Sequence, residues 1–274
     1  MKAEELLKKS NPYLPIPARI KRARIETTDH QIKSFWIEIE NCERFEHLPG
    51  QFCQISIAGV GEAPFGIASS PKEPGLLFTV NRIGALTTAL HSLDEGSLVG
   101  IRGPLGNHYP FELAKGRDVL IVAGGFAFTT LRSLFLFLSD NGNRQNYGKI
   151  TILYGAREPG LLLYRDEFEK WQQIKDFKLV LTVDKGDELW KGEIGVVPEV
   201  LKRLKPESTN TIVFVCGPPI MLKYTFPVLD ELGFDPTLVF TSLEMKMKCG
   251  IGKCGRCNIG HKYICKDGPV FSLE

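Results

Sequence analysis

Four of the chain's seven cysteines, Cys249, Cys254, Cys257 and Cys265, fall within 17 positions and read C-x4-C-x2-C-x7-C in the segment KCGIGKCGRCNIGHKYICKDG. Four thiolates can ligate zinc or an iron-sulfur unit, so their number leaves both open. The opening C-x4-C-x2-C is the plant-type [2Fe-2S] spacing, whereas structural zinc sites commonly use two close pairs. Gly250, Gly252 and Gly255 suit a loop that must bend its backbone around inorganic sulfide, because glycine enters left-handed conformations without a side-chain clash. Backbone N–H groups then point inward at negative charge. From Lys246 to Lys266 the segment carries Lys246, Lys248, Lys253, Arg256, Lys262 and Lys266 but no Asp or Glu. Thiolates offset part of that field, and the rest suits an acidic redox partner. The plainer alternative is a zinc knuckle with a solvated basic face. Cys42, Cys53 and Cys216 stand alone in mostly apolar surroundings and read as small hydrophobes.

A second kind of chemistry is suggested where apolar strands end in glycine. VLIVAGGFAFTTLRSLFLFL joins a strand to a helix through Gly124-Gly125, a junction at which a phosphate can approach the backbone and the positive helix end. It is not G-x-G-x-x-G, so alone it is a weak dinucleotide signal. VFVCGPP places Cys216-Gly217 after another apolar strand, where ligands of open parallel sheets collect. Earlier, GEAPFGIASSP and VNRIGALTTAL read as loops able to touch a cofactor. Arg82 is suited to pairing with phosphate, and Gly84, Thr87 and Thr88 open a short helix. Two turns and a capped helix explain them equally well. GPLGNHYP says only that the chain turns sharply.

The elements that must position these residues change character along the chain. ARIKRARIE, IKSFWIEIE, QFCQISI, LLFTVNR and SLVGIRG are short strands with turns at Pro49-Gly50, Pro74-Gly75 and Glu95-Gly96, predicting an antiparallel barrel or sandwich with one short helix around Ala85 to Leu93. DVLIVAG, KITILYG, FKLVLTV and TIVFVCG are nearly continuous apolar strands. Helical candidates at Thr129 to Leu138, Tyr164 to Trp171, Pro198 to Leu204 and Pro219 to Leu232 accompany them, predicting a covered parallel sheet. The final strand, TLVFTSL, leads into a cysteine segment too short and Gly-rich for a core of its own, so iron or zinc must hold it. The division is 1–112, 113–243 and 244–274. The 274 residues suffice for two compact domains and an appendage. With 34 basic and 32 acidic residues the charge is too balanced for nucleic acid as main partner. No apolar run is long enough to span a membrane. The opening MKAEELLKKSNPYLPIP has no secretory leader pattern, so a cytoplasmic location is expected.

In this order, APFGIASSP, NRIGALTTAL, GPLGNHYP, AGGFAFTTLRS, YGAR, CGPP and CGIGKCGRC resemble the ferredoxin-NADP reductase superfamily over essentially residues 15–271. The resemblance is strongest to the flavin and iron-sulfur subunits of anaerobic sulfite reductase and soluble sulfhydrogenase, with related subunits of dihydroorotate dehydrogenase. It implies an antiparallel β-barrel FAD-binding domain, then an α/β parallel-sheet NAD(P)-binding domain, then a [2Fe-2S] segment. Phe65, Gly66, Ile67 and Ala68 would border the isoalloxazine, while Arg82, Gly84, Thr87 and Thr88 would surround the FAD phosphates. Gly124 and Gly125 would line the nicotinamide nucleotide site, Arg157 would meet its phosphate or ribose, and Cys216 and Gly217 would lie near the nicotinamide. Cys249, Cys254, Cys257 and Cys265 would ligate the cluster.

Two departures bear on that transfer. The usual Arg-x-Tyr/Phe-Ser pattern reads Ala63-Pro64-Phe65-Gly66, without the guanidinium and the hydroxyl. The usual GG-x-G-x-A-P reads Gly124-Gly125-Phe126-Ala127-Phe128-Thr129-Thr130, whose phenylalanines either narrow the nucleotide site or lie buried under the helix. The expected function is an electron-transfer subunit linking NADH or NADPH, FAD and a [2Fe-2S] cluster to a partner hydrogenase, sulfite reductase or related complex. The alternatives are an FAD and iron-sulfur relay without NAD(P) activity and a noncatalytic, zinc-stabilised docking subunit. The scattered histidines and the paired acids Asp166-Glu167 and Asp187-Glu188 suggest no acid-base constellation.

Overall fold

The computed structural model describes residues 11–42 and 44–274, so most of the opening segment read above for a leader lies outside the described residues. The first sheet is built from β1 (Ile16–Ile25), β2 (Ile32–Ile39), β3 (Phe52–Ile57), β4 (Gly61–Gly66), β5 (Leu76–Asn81) and β6 (Leu98–Leu105). It is antiparallel, in the order β4-β3-β6-β1-β2-β5, and its two edge strands touch. In β1, Ala18 and Ile20 face inward while Arg19 and Lys21 face water, the period-two pattern of a half-buried strand. Five of the six strands and the helix α1 (Ala85–His91) stand where the apolar runs predict them. The sixth corrects the sequence reading: GEAPFG is β4, paired with β3 from Phe52–Gly66 to Ile57–Gly61, and not a loop. Two glycines and Pro64 obscure it, and an edge position tolerates a proline that cannot donate to the ladder.

The second sheet contains β7 (Asp118–Gly124), β8 (Ile150–Ala156), β9 (Phe177–Val183), β10 (Glu193–Ile194), β11 (Thr211–Cys216) and β12 (Val239–Ser242), all parallel. Two short strands, β13 (Asn258–Ile259) and β14 (Lys262–Tyr263), precede β15 (Val270–Ser272), which joins the edge of this sheet antiparallel to β12. The order is β10-β9-β8-β7-β11-β12-β15. Alternate residues of β7 feed two cores. Val119, Ile121 and Ala123 pack with α2 (Phe128–Ser139) and α3 (Phe168–Gln172), whereas Leu120 and Val122 pack with α4 (Val197–Leu204) and α5 (Pro219–Glu231). Helices on both faces explain the continuous apolar strands.

Three expectations change in detail. Tyr164 adopts a left-handed conformation, φ 56°, so Tyr164 to Trp171 is a 3₁₀ turn followed by the short α3, not one helix. TLVFTSL begins with a 3₁₀ turn before β12. The cysteine segment is not left to a metal alone: α6 (Ile264–Asp267) buries Ile264 and Cys265, which pack with Cys257 against Phe52 of the first sheet. No helix among the described residues is long and apolar enough to cross a membrane.

Phe135 on α2 is fully buried, with ring centroids 5.0 Å from Trp171 and 4.9 Å from Phe177. Phe135→Ala is expected to cost about 3–5 kcal/mol through lost contacts and a residual cavity. Urea unfolding should show a lower midpoint at unchanged slope.

Candidate functional site

The carboxyl ends of β7, β8, β9 and β11 open into a cleft of about 710 Å³ lined by Gly124, Gly125, Gly155, Arg157, Asp184, Lys202, Pro218 and Met221, among others. Gly124 and Gly155 sit side by side in the ladder, and a side chain at Gly124 would strike Met221. Gly125 has φ 54° and faces open space, so its backbone stays accessible as α2 begins. The substituted loop does not close this cleft. Phe128 is fully buried and stacks on Tyr154 with ring centroids 4.3 Å apart. Phe126 and Ala127 pack against the same core, and none of these three lines the cleft. Arg157 and Gly125 therefore share one cavity, while Cys216 and Gly217 do not line it. Cys216 is the last residue of β11, and burial pushes its thiol up to about 12, which keeps it protonated near neutral pH.

On the first sheet, α1, which Gly84 caps and which contains Thr88, packs against β3 and β4, and Phe65 and Gly66 of β4 are half-buried. Ile67 and Ala68 differ from these two, because their side chains are fully buried in separate cores and only their backbones remain to meet a ring. Arg82, Gly84 and Thr88 are exposed. The Thr87 hydroxyl is already engaged as a cap, accepting from the N–H groups of Ile83 at 3.0 Å and Gly84 at 2.9 Å and donating to the Gly84 carbonyl at 3.0 Å.

The two sheets meet at Arg132 of α2, whose guanidinium is nearly excluded from water. It donates to the Ala68 carbonyl at 2.7 Å and to both carboxylate oxygens of Glu167 at 2.9 Å, and lies 5.0 Å from the Tyr164 ring centroid. The neighbouring Ser133 hydroxyl donates to the Ser69 carbonyl at 2.7 Å, and the Tyr164 hydroxyl pairs with Thr79 at 2.6 Å. The segment just after β4 is thereby tied to the helix that begins at the cleft.

The cysteine loop is tied to the first sheet in a similar way. Arg102 of β6 is buried, pairs with both oxygens of Glu62 at 2.8 and 2.6 Å, and donates to the Cys249 carbonyl at 2.9 Å. Asn107 donates to the carbonyls of Asp267 at 3.1 Å and Val270 at 2.8 Å and accepts from the Val270 N–H at 2.9 Å. GPLGNHYP is thus a clasp as well as a turn.

Within the loop, Gly250, Gly252 and Gly255 have φ of 73°, 73° and 72°, the left-handed backbone that the glycines predict. The Cys249 thiol neighbours Cys254, and the Cys265 thiol neighbours Cys257 and also lies near Cys249. The N–H of Gly252 donates to the Cys265 sulfur at 3.0 Å, and those of Lys253 and Cys254 donate to the Cys249 sulfur at 3.3 and 3.4 Å. Partial burial opposes ionisation of Cys249, but the surrounding N–H groups prevail and bring its thiol to about 7. Burial, then the neighbouring Cys257, push the Cys265 thiol up to about 12. Among the described residues no three His, Cys, Asp or Glu side chains gather closely enough to hold a single metal ion. Neighbouring sulfurs fed by N–H donors suit an iron-sulfur cluster. Cys254 is exposed in a recess of about 930 Å³ with Lys246 and Arg256. Glu244 lines the same recess and lies close enough to Cys216 to oppose its ionisation.

The joint residue Arg132, the clasp residues Arg102 and Asn107, and Glu244 were not singled out in the sequence. The only available signal was charge or an amide inside otherwise apolar or Gly/Pro-shaped runs.

The fold, the strand-end cleft and the neighbouring thiols together define a two-domain reductase with an iron-sulfur appendage. The chain belongs to the ferredoxin-NADP reductase superfamily, in the family of electron-transfer subunits that includes sulfhydrogenase gamma subunits. Residues 121–226 match the oxidoreductase NAD-binding domain, and residues 244–274 match the iron-sulfur cluster binding domain of dihydroorotate dehydrogenase B. The chain is 38% identical to sulfhydrogenase 1 subunit gamma of Pyrococcus furiosus over 98% of its own length and 94% of that protein. It is 33% identical to a probable dihydroorotate dehydrogenase B (NAD(+)) electron transfer subunit of Methanocaldococcus jannaschii, covering 94% of this chain and 89% of that one. Among solved structures, a chain of the NADH-dependent reduced ferredoxin-NADP oxidoreductase, described for flavin-based electron bifurcation, superimposes with TM-score 0.76 at 29% identity, over 93% of this chain and 87% of the other.

Removing either buried arginine leaves a partner carboxylate without its counter-charge. Arg132→Met is expected to destabilise the protein by about 3–5 kcal/mol, measured by chemical denaturation. Arg102→Met should speed iron release to a chelator from protein that is still folded, a separation that circular dichroism alongside iron absorbance resolves. Unchanged release would show that the Arg102 contact to Cys249 does not restrain the loop.

Proposed function

We propose that this chain is an electron-transfer subunit that links NADH or NADPH, FAD and a [2Fe-2S] cluster to a partner complex of the hydrogenase, sulfite reductase or dihydroorotate dehydrogenase kind. The carrying observation is that one chain joins a strand-end cleft to neighbouring, N–H-fed thiols through a polar joint. The proposed division is a barrel domain through residue 112, a nucleotide domain at 113–243 and a cluster segment at 244–274.

The groups this chain would hold would supply hydride chemistry at NAD(P)H, two-electron to one-electron exchange at FAD and one-electron transfer at the cluster. The chain's own residues bind and orient. Gly125 leaves its backbone open for a pyrophosphate beside Gly124 at the strand end, and Arg157 is placed for phosphate or ribose in the same cleft. Phe65, Gly66 and the backbones of Ile67 and Ala68 offer a strip for the isoalloxazine. Arg82, Gly84 and Thr88 suit the FAD phosphates, with Thr87 acting one step back by fixing the turn. Cys216 and Gly217, which do not line the cleft, are assigned a place near the nicotinamide by the family resemblance alone. Cys249, Cys254, Cys257 and Cys265 hold the cluster. The basic recess around Cys254 offers an acidic partner its approach. All seven cysteines are free, which suits a reducing, cytoplasmic setting.

Anaerobically purified protein is expected to contain FAD with iron and acid-labile sulfide in equal amounts. Cys254→Ser should lose iron, while Cys42→Ser should retain it. Stoichiometric zinc without sulfide would overturn the cluster assignment. Anaerobic stopped-flow spectra with each nucleotide should show flavin reduction followed by cluster reduction. Failure of both nucleotides with fully loaded, dithionite-reducible protein, alone and in its native complex, would leave a relay without NAD(P) activity.

A further inference from the structure

We propose that Gly66 and Thr130 form a reciprocal pair, in which the absent side chain of Gly66 is the socket for Thr130 and the fit holds the Thr130 hydroxyl at the flavin side of the joint as a positioning group. This rests on the FAD reading above and assigns that site a further residue. Gly66 is not among the glycines with positive φ, so backbone strain does not require glycine there. Space does: a Cβ at 66 would overlap the Thr130 Cγ2 across the domain boundary. Thr130 lies in the first turn of α2 and is β-branched, with few χ1 choices in a helix. With Cγ2 seated over Gly66, its Oγ1 lies 3.2 Å from the Tyr109 hydroxyl and 3.9 Å from the Cys216 sulfur.

Both neighbours are fixed. Tyr109 is fully buried, and a side chain at Gly50 would meet its ring at 2.9 Å. Cys216 closes β11, with its thiol 3.7 Å from the Ser242 carbonyl. Turning Cγ2 out of the socket therefore carries Oγ1 out of the Tyr109–Thr130–Cys216 chain. Residues 66 and 130 are both half-buried, whereas Tyr109 and Cys216 are sealed beneath them, and Oγ1 also lies 3.4 Å from the Ala127 carbonyl of its own turn. A hydroxyl both donates and accepts, so it can serve a ring edge whose hydrogen-bonding character changes on reduction. Residue 66 has no side chain to do this, and Thr130 reaches the same place from the opposite domain.

The test uses the flavin-loaded chain with Thr130→Val, Thr130→Ser, Gly66→Ala and the double variant Gly66→Ala/Thr130→Ser. Thr130→Val keeps the shape but deletes the hydroxyl. It is expected to retain FAD, to shift the flavin absorption envelope and to lower kcat for NADH about tenfold with KM little changed, the effect of losing one hydrogen bond made in the reaction. Thr130→Ser should recover most of that loss. Gly66→Ala should lower Tm, and Thr130→Ser, which removes Cγ2, should relieve most of that drop. A native spectrum and kcat in FAD-loaded Thr130→Val would overturn the role of the hydroxyl. An equal Tm loss from Gly66→Ala in both backgrounds would overturn the socket. Wild-type protein without FAD would refute the flavin reading itself, and with it the hydroxyl's role, before any variant is compared.

Discussion

Arg132 enters the joint from α2 with its guanidinium almost wholly out of water, and the surrounding polar groups answer that charge. An unpaired buried guanidinium costs several kcal/mol, so its place in the fold depends on Glu167 and on the Ala68 carbonyl being where they are. Glu167 comes from the turn before α3, and Ala68 from the chain leaving β4. One charge therefore fixes a helix of the second sheet, a turn of the same domain and a strand end of the first sheet. Burial pushes the Glu167 carboxyl upward while Arg132 opposes the shift. The short bidentate contact keeps the pair working as a unit. The candidate flavin strip, Phe65 to Ala68, ends at the very carbonyl that Arg132 holds, and the candidate nucleotide loop ends two residues before Arg132. Their relative placement is a consequence of this contact.

The cysteine segment depends on the same kind of constraint at lower cost. A loop with three left-handed glycines gains little from its own packing, so most of its order must be borrowed. Phe52 supplies an apolar base, Arg102 holds the Cys249 carbonyl, and Asn107 grips both sides of Gly268-Pro269. These contacts fix the ends of the loop and leave N–H groups turned toward sulfur. The charge arrangement agrees: basic side chains face solvent around Cys254, while backbone donors address the thiols within.

What was legible in the sequence was whatever a local pattern encodes. DVLIVAG and TIVFVCG are buried on both faces and read as such, and the three loop glycines read as left-handed because nothing else fits that backbone cheaply. The C-x4-C-x2-C spacing proposed a cluster, and the loop shows neighbouring thiols. What stayed hidden is set by distant partners. Arg132 meets Ala68 across 64 positions, Arg102 meets Cys249 across 147, and Asn107 meets Val270 across 163. No period or spacing announces such pairs. β4 was hidden for a different reason: an edge strand needs no apolar alternation, so its glycines and proline read as turn residues. The risk raised by Phe126 and Phe128 could be resolved only in three dimensions, because an aromatic ring after a strand-end glycine can turn into the core as readily as into the cleft.

The route from cleft to cluster follows from chain connectivity. Cys216 ends β11 beside β12, and its thiol points at the carbonyl of Ser242, the last residue of β12. Only the short stretch from Leu243 to Lys248 then separates that carbonyl from Cys249. Leu243 is pinned by its N–H to the Pro269 carbonyl, at the segment that β15 returns to the same sheet. The loop is therefore anchored at both ends to the strand whose terminus neighbours Cys216. Glu244 lies on this short stretch, near the buried thiol on one side and in the recess beside Cys254 on the other. A separate cluster domain on a flexible tether would leave the distance between these two places to chance. Here β12, β15 and the Asn107 clasp fix it, which is what electron passage between two bound cofactors requires of a protein.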